Sequence, residues 1–127
     1  MIVLDAGVVI AYLEGNDRHH LAAEAVLAEE VDDLGISVLT LAEVLVGPTK
    51  DGKVAEVLSV LADIEVAELP MPAHAATRLA HLRTTTRLRM PDCCVLLSAQ
   101  EAGARVASFD VRLTLAAADL GLVVVGR

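Results

Sequence analysis

Five short apolar runs, each separated from the next by helix-patterned sequence, constrain this chain more than any other feature. They are residues 2–5 (Ile-Val-Leu-Asp), 36–39, 64–68, 105–109 and 122–125. Such runs are too short for helices and apolar enough for strands buried on both faces; 64–68 alternates like an edge strand. Between them lie helical patterns at 7–13, at 19–30 with Asp17 as N-cap, and from Thr40 to Val46, stopped by Gly47-Pro48. Further helical patterns cover 52–62, 72–84 with Pro72 near the start, a segment opened by Pro91 and ended by Gly103, and 111–119. Strand and helix alternating in this way predict a parallel sheet covered on both faces, a three-layer α/β/α sandwich. The chain has 127 residues with no repeat or linker-like segment, so residues 1–127 read as a single domain.

Composition narrows the function. One Tyr, one Phe and no Trp leave the core to Val, Leu and Ala. A module that reads nucleic acid through an array of aromatic rings is excluded. Ten Lys+Arg against eighteen Asp+Glu give a net charge of −8, so the chain is no general binder of polyanions. Contact with nucleic acid needs a local offset to the acid, and a divalent cation supplies one. Cys93 and Cys94 are adjacent, a poor geometry for a disulfide, and read as small buried hydrophobes. No apolar stretch approaches the roughly 20 residues that a membrane helix needs. The first apolar run has no basic lead and is bracketed by Asp5 and Glu14, unlike a signal peptide, so a cytoplasmic location is expected. The mean hydropathy of +0.59 is high for a small monomer and points to a homodimer or another partner that covers apolar surface.

Four acids fall where such a sheet binds ligands, outside the carboxyl ends of its strands. Asp5 ends the first strand, and Asp110 follows the fourth. Glu43 lies one turn into the helix after the second strand, and Asp92 lies in the first turn of the helix opened by Pro91. Each alone has a structural alternative: Asp5 as a turn residue, Glu43 as capping-box partner of Thr40, Asp92 as a favourable charge at a helix start, Asp110 as an N-cap. Together they make a rim of like charge that folding does not require. A hard cation such as Mg²⁺ or Mn²⁺ takes oxygen ligands, relieves that repulsion and can activate water beside a phosphate.

The segments that carry these acids resemble a known family. Met-Ile-Val-Leu-Asp-Ala-Gly-Val-Val-Ile-Ala-Tyr-Leu (1–13), Leu-Thr-Leu-Ala-Glu-Val-Leu-Val-Gly-Pro (39–48), Met-Pro-Asp-Cys-Cys-Val-Leu-Leu-Ser-Ala-Gln (90–100) and Val-Ala-Ser-Phe-Asp (106–110) are similar, in order and over the whole length, to the motifs of PIN domains. Size and wording are most similar to VapC-type toxins of bacterial toxin–antitoxin pairs. The resemblance implies strand order 3-2-1-4-5 and an Mg²⁺- or Mn²⁺-dependent endoribonuclease. Its metal would be held by Asp5, Asp92 and Asp110, with Glu43 positioning the metal or the attacking water. The products would be a 5′-phosphate and a 3′-hydroxyl. It also implies a small DNA-binding antitoxin, VapB-like, that blocks the acidic pocket. Ser108 matches the family's usual Ser/Thr two residues before the fourth-motif acid and is a candidate contact to a ligand or substrate.

Two positions depart from the family pattern. Gly7 stands where a Ser or Thr is usual, and Arg112 stands near a position that is often acidic. Arg112 could pair with the acids or with a substrate phosphate, and Arg87 and Arg89 lead into the helix of Asp92, where they could meet the RNA backbone. His19 and His20 are adjacent, cannot share a helix face and read as solvated. Two competing readings remain. One is a catalytically weak PIN-like protein that acts by binding RNA or a partner, supported by Gly7 and Arg112. The other is a phosphoacceptor or phosphatase domain with Asp5 as nucleophile. The only lysines, Lys50 and Lys53, lie far from the last strand, and Gly7 stands where a second Asp is needed, so the chain lacks the context for that chemistry.

Overall fold

A computed structural model describes residues 1–29 and 32–125. Strand β1 (Ile2–Leu4) leads into α1 (Ala6–Leu13), then α2 (His20–Glu24), which continues as a π-helical turn, Ala25–Glu29. Strand β2 (Leu34–Ser37) follows, with α3 (Val38–Asp51), α4 (Val54–Asp63) and β3 (Val66–Leu69). The chain then forms α5 (Ala75–Thr86), α6 (Met90–Ala102), β4 (Arg105–Ala107), α7 (Val111–Asp119) and β5 (Val124–Val125).

All four strand pairings are parallel, and the order is β3-β2-β1-β4-β5. The expected α/β architecture and strand order are therefore found, with 64–68 realised as the edge strand β3. Side-chain alternation explains why β1 is apolar throughout. Ile2 and Leu4 point into a core with Ile36 of β2, Val26 of the π-helical turn, Val8 and Val9 of α1, Val44 of α3 and Leu61 of α4. Val3 points the other way, into a core with Val106 of β4 and with Leu82, Val95, Leu96 and Leu113 of α5 to α7. Cys93 and Cys94 are free thiols buried in that second core, as expected, and burial pushes both thiols up from their usual pKa. Gly35 lies under two side chains: a Cβ there would come within 2.8 Å of Leu69 Cδ1 and 2.9 Å of Met1 Sδ, so these side-chain ends would have to shift.

Several boundaries differ from the expectation. The second strand ends at Ser37, and Val38 and Leu39 form the first helical turn, partly exposed. Ser37, not Thr40, is the N-cap, and its side chain makes no capping bond. Thr40 is buried inside the helix, which removes the capping-box role for Glu43. Glu43 also lies deeper than one turn into α3. Gly47-Pro48 does not stop α3; the helix carries Pro48 in its last turns and ends on left-handed Gly52, φ 69°. A proline lacks only one N–H, so loss of a single bond near the end is tolerated. His19, not Asp17, caps α2, while Asp17 Oδ1 accepts from the His19 N–H at 2.8 Å. Glu30, the predicted end of that helix, lies outside the described residues. Pro72 lies before α5, which starts at Ala75.

Candidate active site

The site is built where β1 and β4 end side by side. Leu4 pairs with Ala107, and the Asp5 N–H extends that ladder to the Ala107 carbonyl at 3.0 Å. β1 passes through Asp5 into α1 and β4 passes through residues 108–110 into α7, and each helix is capped by an acid. Asp5 Oδ1 accepts from the Ala6 N–H at 2.8 Å at the start of α1. Asp110 Oδ1 accepts from the Arg112 and Leu113 N–H groups at the start of α7. Asp110 is thus the N-cap considered for it, while Asp5, considered as a turn residue, is the N-cap of α1, and the two caps fix both carboxylates at the same sheet edge.

Ser108 joins the two turns. It is buried, and its Oγ donates to Asp5 Oδ2 at 2.7 Å and accepts from the Asp110 N–H at 3.0 Å. Asp92 reaches the same edge from the first turn of α6, and Glu43 from α3; these two helices pack together.

Electrostatics connects the four acids. Burial raises the pKa of Asp5, with a smaller push from Asp110, against hydrogen bonds from Ser108 and Ala6 that favour the charged form. Desolvation raises Glu43, with repulsion from Asp5 and Asp92 adding to it. Desolvation also raises Asp92, reinforced by Asp5 and Asp110. Each raised carboxyl is therefore destabilised partly by its neighbours, the pattern of a site short of positive charge.

Among the described residues, no three His, Cys, Asp or Glu side chains converge closely enough to grip a metal ion by themselves. The donor set nevertheless suits one kind of ion. It is all oxygen, it is mutually repelling, and Asp110 and Glu43 are solvent-exposed, so water can complete the coordination of a hard cation.

Of the predicted basic contacts, Arg89 offsets the charge of Glu43 and Asp92, and Arg112 offsets that of Asp92. Arg87 is exposed in the left-handed C-cap of α5, φ 61°, and is not among the charges acting on Asp5, Glu43 or Asp92. Gly7 lies exposed in the first turn of α1, with no atom within 4 Å of where a Cβ would be.

The two histidines are not simply solvated. His20 Nδ1 lies 2.8 Å from the Ala11 carbonyl, and its Nε2 pairs with Glu24. His19 stacks on Phe109, with ring centroids 4.7 Å apart. A single Phe beside a candidate site acid was visible in sequence; its distant partner, His19, was not.

A model of the PIN domain family matches residues 2–119. No curated protein sequence is significantly similar to the chain. Among solved structures, a toxin–antitoxin complex from Klebsiella pneumoniae superposes with a TM-score of 0.79 at 23% identity, over 100% of this chain and 98% of that one. VapC20 from Mycobacterium tuberculosis, described as a toxin that cleaves the sarcin–ricin loop, gives 0.77 at 14% identity, covering 91% of this chain and 95% of its own. VapBC2 from Rickettsia felis, bound to a DNA fragment from its promoter, gives 0.72 at 17% identity, with 98% of each chain covered. At these identities the likeness is one of fold.

Proposed function

The chain belongs to the PIN domain family, and on that premise we propose that it is a metal-dependent endoribonuclease, the toxin of a toxin–antitoxin pair. The observation that carries this reading is the gathering of Asp5, Glu43, Asp92 and Asp110 at one sheet edge, where Asp5, Glu43 and Asp92 are raised in pKa by burial and by neighbouring acids. In this reading residues 1–127 form one such domain.

Asp5, Asp92 and Asp110 would hold Mg²⁺ or Mn²⁺, directly or through water. A bound cation of this kind lowers the pKa of water and offsets charge developing on a phosphate. Asp5 and Asp110 are held in place for that task by Ser108 and by their capping bonds. Glu43 makes no capping bond, and its raised pKa suits it to orient the attacking water or accept its proton. Arg89 and Arg112 put positive charge beside the acids, where a substrate phosphate can meet it. Arg87, exposed at the end of α5, would contact RNA further out. Water adds to phosphorus and the 3′-oxygen leaves, giving a 5′-phosphate and a 3′-hydroxyl.

The partner in this reading is a DNA-binding antitoxin that covers the acidic pocket with a basic side chain. It or a second copy of the chain would also cover exposed Leu21, Val111 and Leu115. Among the described residues no helix is long and apolar enough to cross a membrane, and a toxin acting on RNA would work in the cytoplasm. A binding role without strong catalysis is the second reading. It is favoured by Gly7, which offers no hydroxyl to the site.

Cleavage of total RNA by the partner-free protein tests the proposal, with Mg²⁺, Mn²⁺ or EDTA, beside Asp5→Asn and Asp92→Asn. Metal-dependent cuts that vanish in both variants are expected. A folded protein that binds Mn²⁺ and RNA but cuts nothing would leave the binding role.

A further inference from the structure

A cavity beside the acids has no role in the mechanism above. It encloses about 450 Å³ and is lined by His19, Ala22, Ser108, Phe109, Val111 and Leu115, among others. Its walls are mostly apolar, and it borders the acidic site at Ser108, which lines it and also bonds to Asp5 and to the Asp110 N–H.

One wall is a stacked pair of rings. Phe109 lies between Ser108 and Asp110 in the chain, and its ring meets the His19 ring with centroids 4.7 Å apart and planes inclined by 19°. Both rings are half-buried, and both are anchored. Phe109 is held by the bonds of its two neighbours and packs against the core of α1 to α4, and the His19 N–H is tied to Asp17. Arg18 Nε donates to His19 Nε2 at 3.2 Å, which puts an exposed guanidinium at the outer edge of the pair.

A chain with one Phe and no Trp has few ring faces to place anywhere. This one places its Phe next to a candidate site acid and aligns it nearly parallel with an imidazole. Near-parallel rings accept a further flat unsaturated ring, and a nucleobase is such a ring at the end of each phosphodiester unit. An RNA phosphate at the acids brings its neighbouring base within reach of a wall that begins one residue away.

Resting on the nuclease reading, we propose that the His19–Phe109 pair is a base-stacking subsite. It holds the base of a nucleotide next to the scissile phosphate, with Arg18 beside that nucleotide's backbone. The pair provides positioning and affinity and is tolerant of base identity, since every base has a π-face.

A single-stranded oligoribonucleotide carrying 2-aminopurine at successive positions tests this, because stacking quenches that base directly. Binding is followed by anisotropy in Ca²⁺, and cleavage separately in Mn²⁺, for wild type, Phe109→Leu, Phe109→Tyr and His19→Ala. Circular dichroism verifies that each variant is folded. We expect quenching at one position, retained in Phe109→Tyr, lost in Phe109→Leu and weakened in His19→Ala. Affinity should fall by roughly tenfold in Phe109→Leu, the size of one base stack. RNA cut with no position quenched overturns the subsite and leaves the nuclease reading standing, whereas RNA bound but neither quenched nor cut overturns both. Quenching unchanged in Phe109→Leu overturns it equally. RNA neither bound nor cut overturns both.

Discussion

Ser108 Oγ donates a 2.7 Å hydrogen bond to Asp5 Oδ2 while accepting from the Asp110 N–H, so one buried hydroxyl ties the ends of β1 and β4 together. Ser108→Ala removes a donor from one candidate metal ligand and an acceptor from the backbone of another. Loss of such a supporting bond is expected to weaken Mn²⁺ binding by about 10–100-fold. Isothermal titration with Mn²⁺ measures it; an unchanged affinity would show that Asp5 is held without Ser108.

Stability should depend on pH with the sign set by raised carboxyls. Asp5, Glu43 and Asp92 all have pKa values above their usual ones, so the folded protein binds more protons than the unfolded chain just above about pH 4. This contribution is fully present below the unfolded values and is lost as pH rises through the folded ones. Thermal melts in EDTA should show it, with a smaller decline in Glu43→Gln. Glu43 is exposed and makes no capping bond, so this variant should gain only about 0.5–1 kcal/mol at pH 7. A loss of stability in Glu43→Gln would contradict the repulsion described here.

Arg89 opposes the acids, and its loss should be felt as a pH effect. It lowers the pKa of both Glu43 and Asp92. In Arg89→Gln both should rise further, moving the acidic limb of the pH–rate profile to higher pH. Arg87→Gln is the control: it should weaken RNA binding and its salt dependence while leaving that limb in place. A profile that moves equally in both variants would remove the distinction between the two arginines.

Gly7 separates a backbone effect from a chemical one. It sits in a helix with open space around its missing Cβ, so Gly7→Ala should stabilise the protein by about 0.5–1 kcal/mol, read from urea unfolding. Gly7→Ser offers the hydroxyl usual at this place in the family. Tighter Mn²⁺ binding in Gly7→Ser than in Gly7→Ala would show that the hydroxyl reaches the site; equal binding would show that it does not.

Local pattern carried a large part of this molecule. Ile2–Leu4 could be read as a doubly buried strand because every position is apolar, and Gly103 as a helix end because glycine accepts φ 59° without strain. Asp5, Asp92 and Asp110 could be picked out because each follows a strand or opens a helix, and Glu43 because it lies on the helix that follows the second strand. The failures have equally local causes. Val38 and Leu39 continue an apolar run, and periodicity alone does not tell a strand's last residues from a helix's first turn. Pro48 was a stop signal overridden by a helix that gives up one bond near its end.

Sequence by itself determined which segments form strands and helices and which acids stand at their ends, since burial on two faces and helix capping are decided by neighbours in the chain. Its resemblance to a family added the strand order. Tertiary structure alone decided which distant groups meet. Ser108 reaches Asp5, and His19 stacks on Phe109, because parallel pairing sets β4 beside β1 and the helices pack across that edge. Contacts between residues so far apart depend on loop closure and on the packing of whole layers, and no pattern within a window of sequence records them.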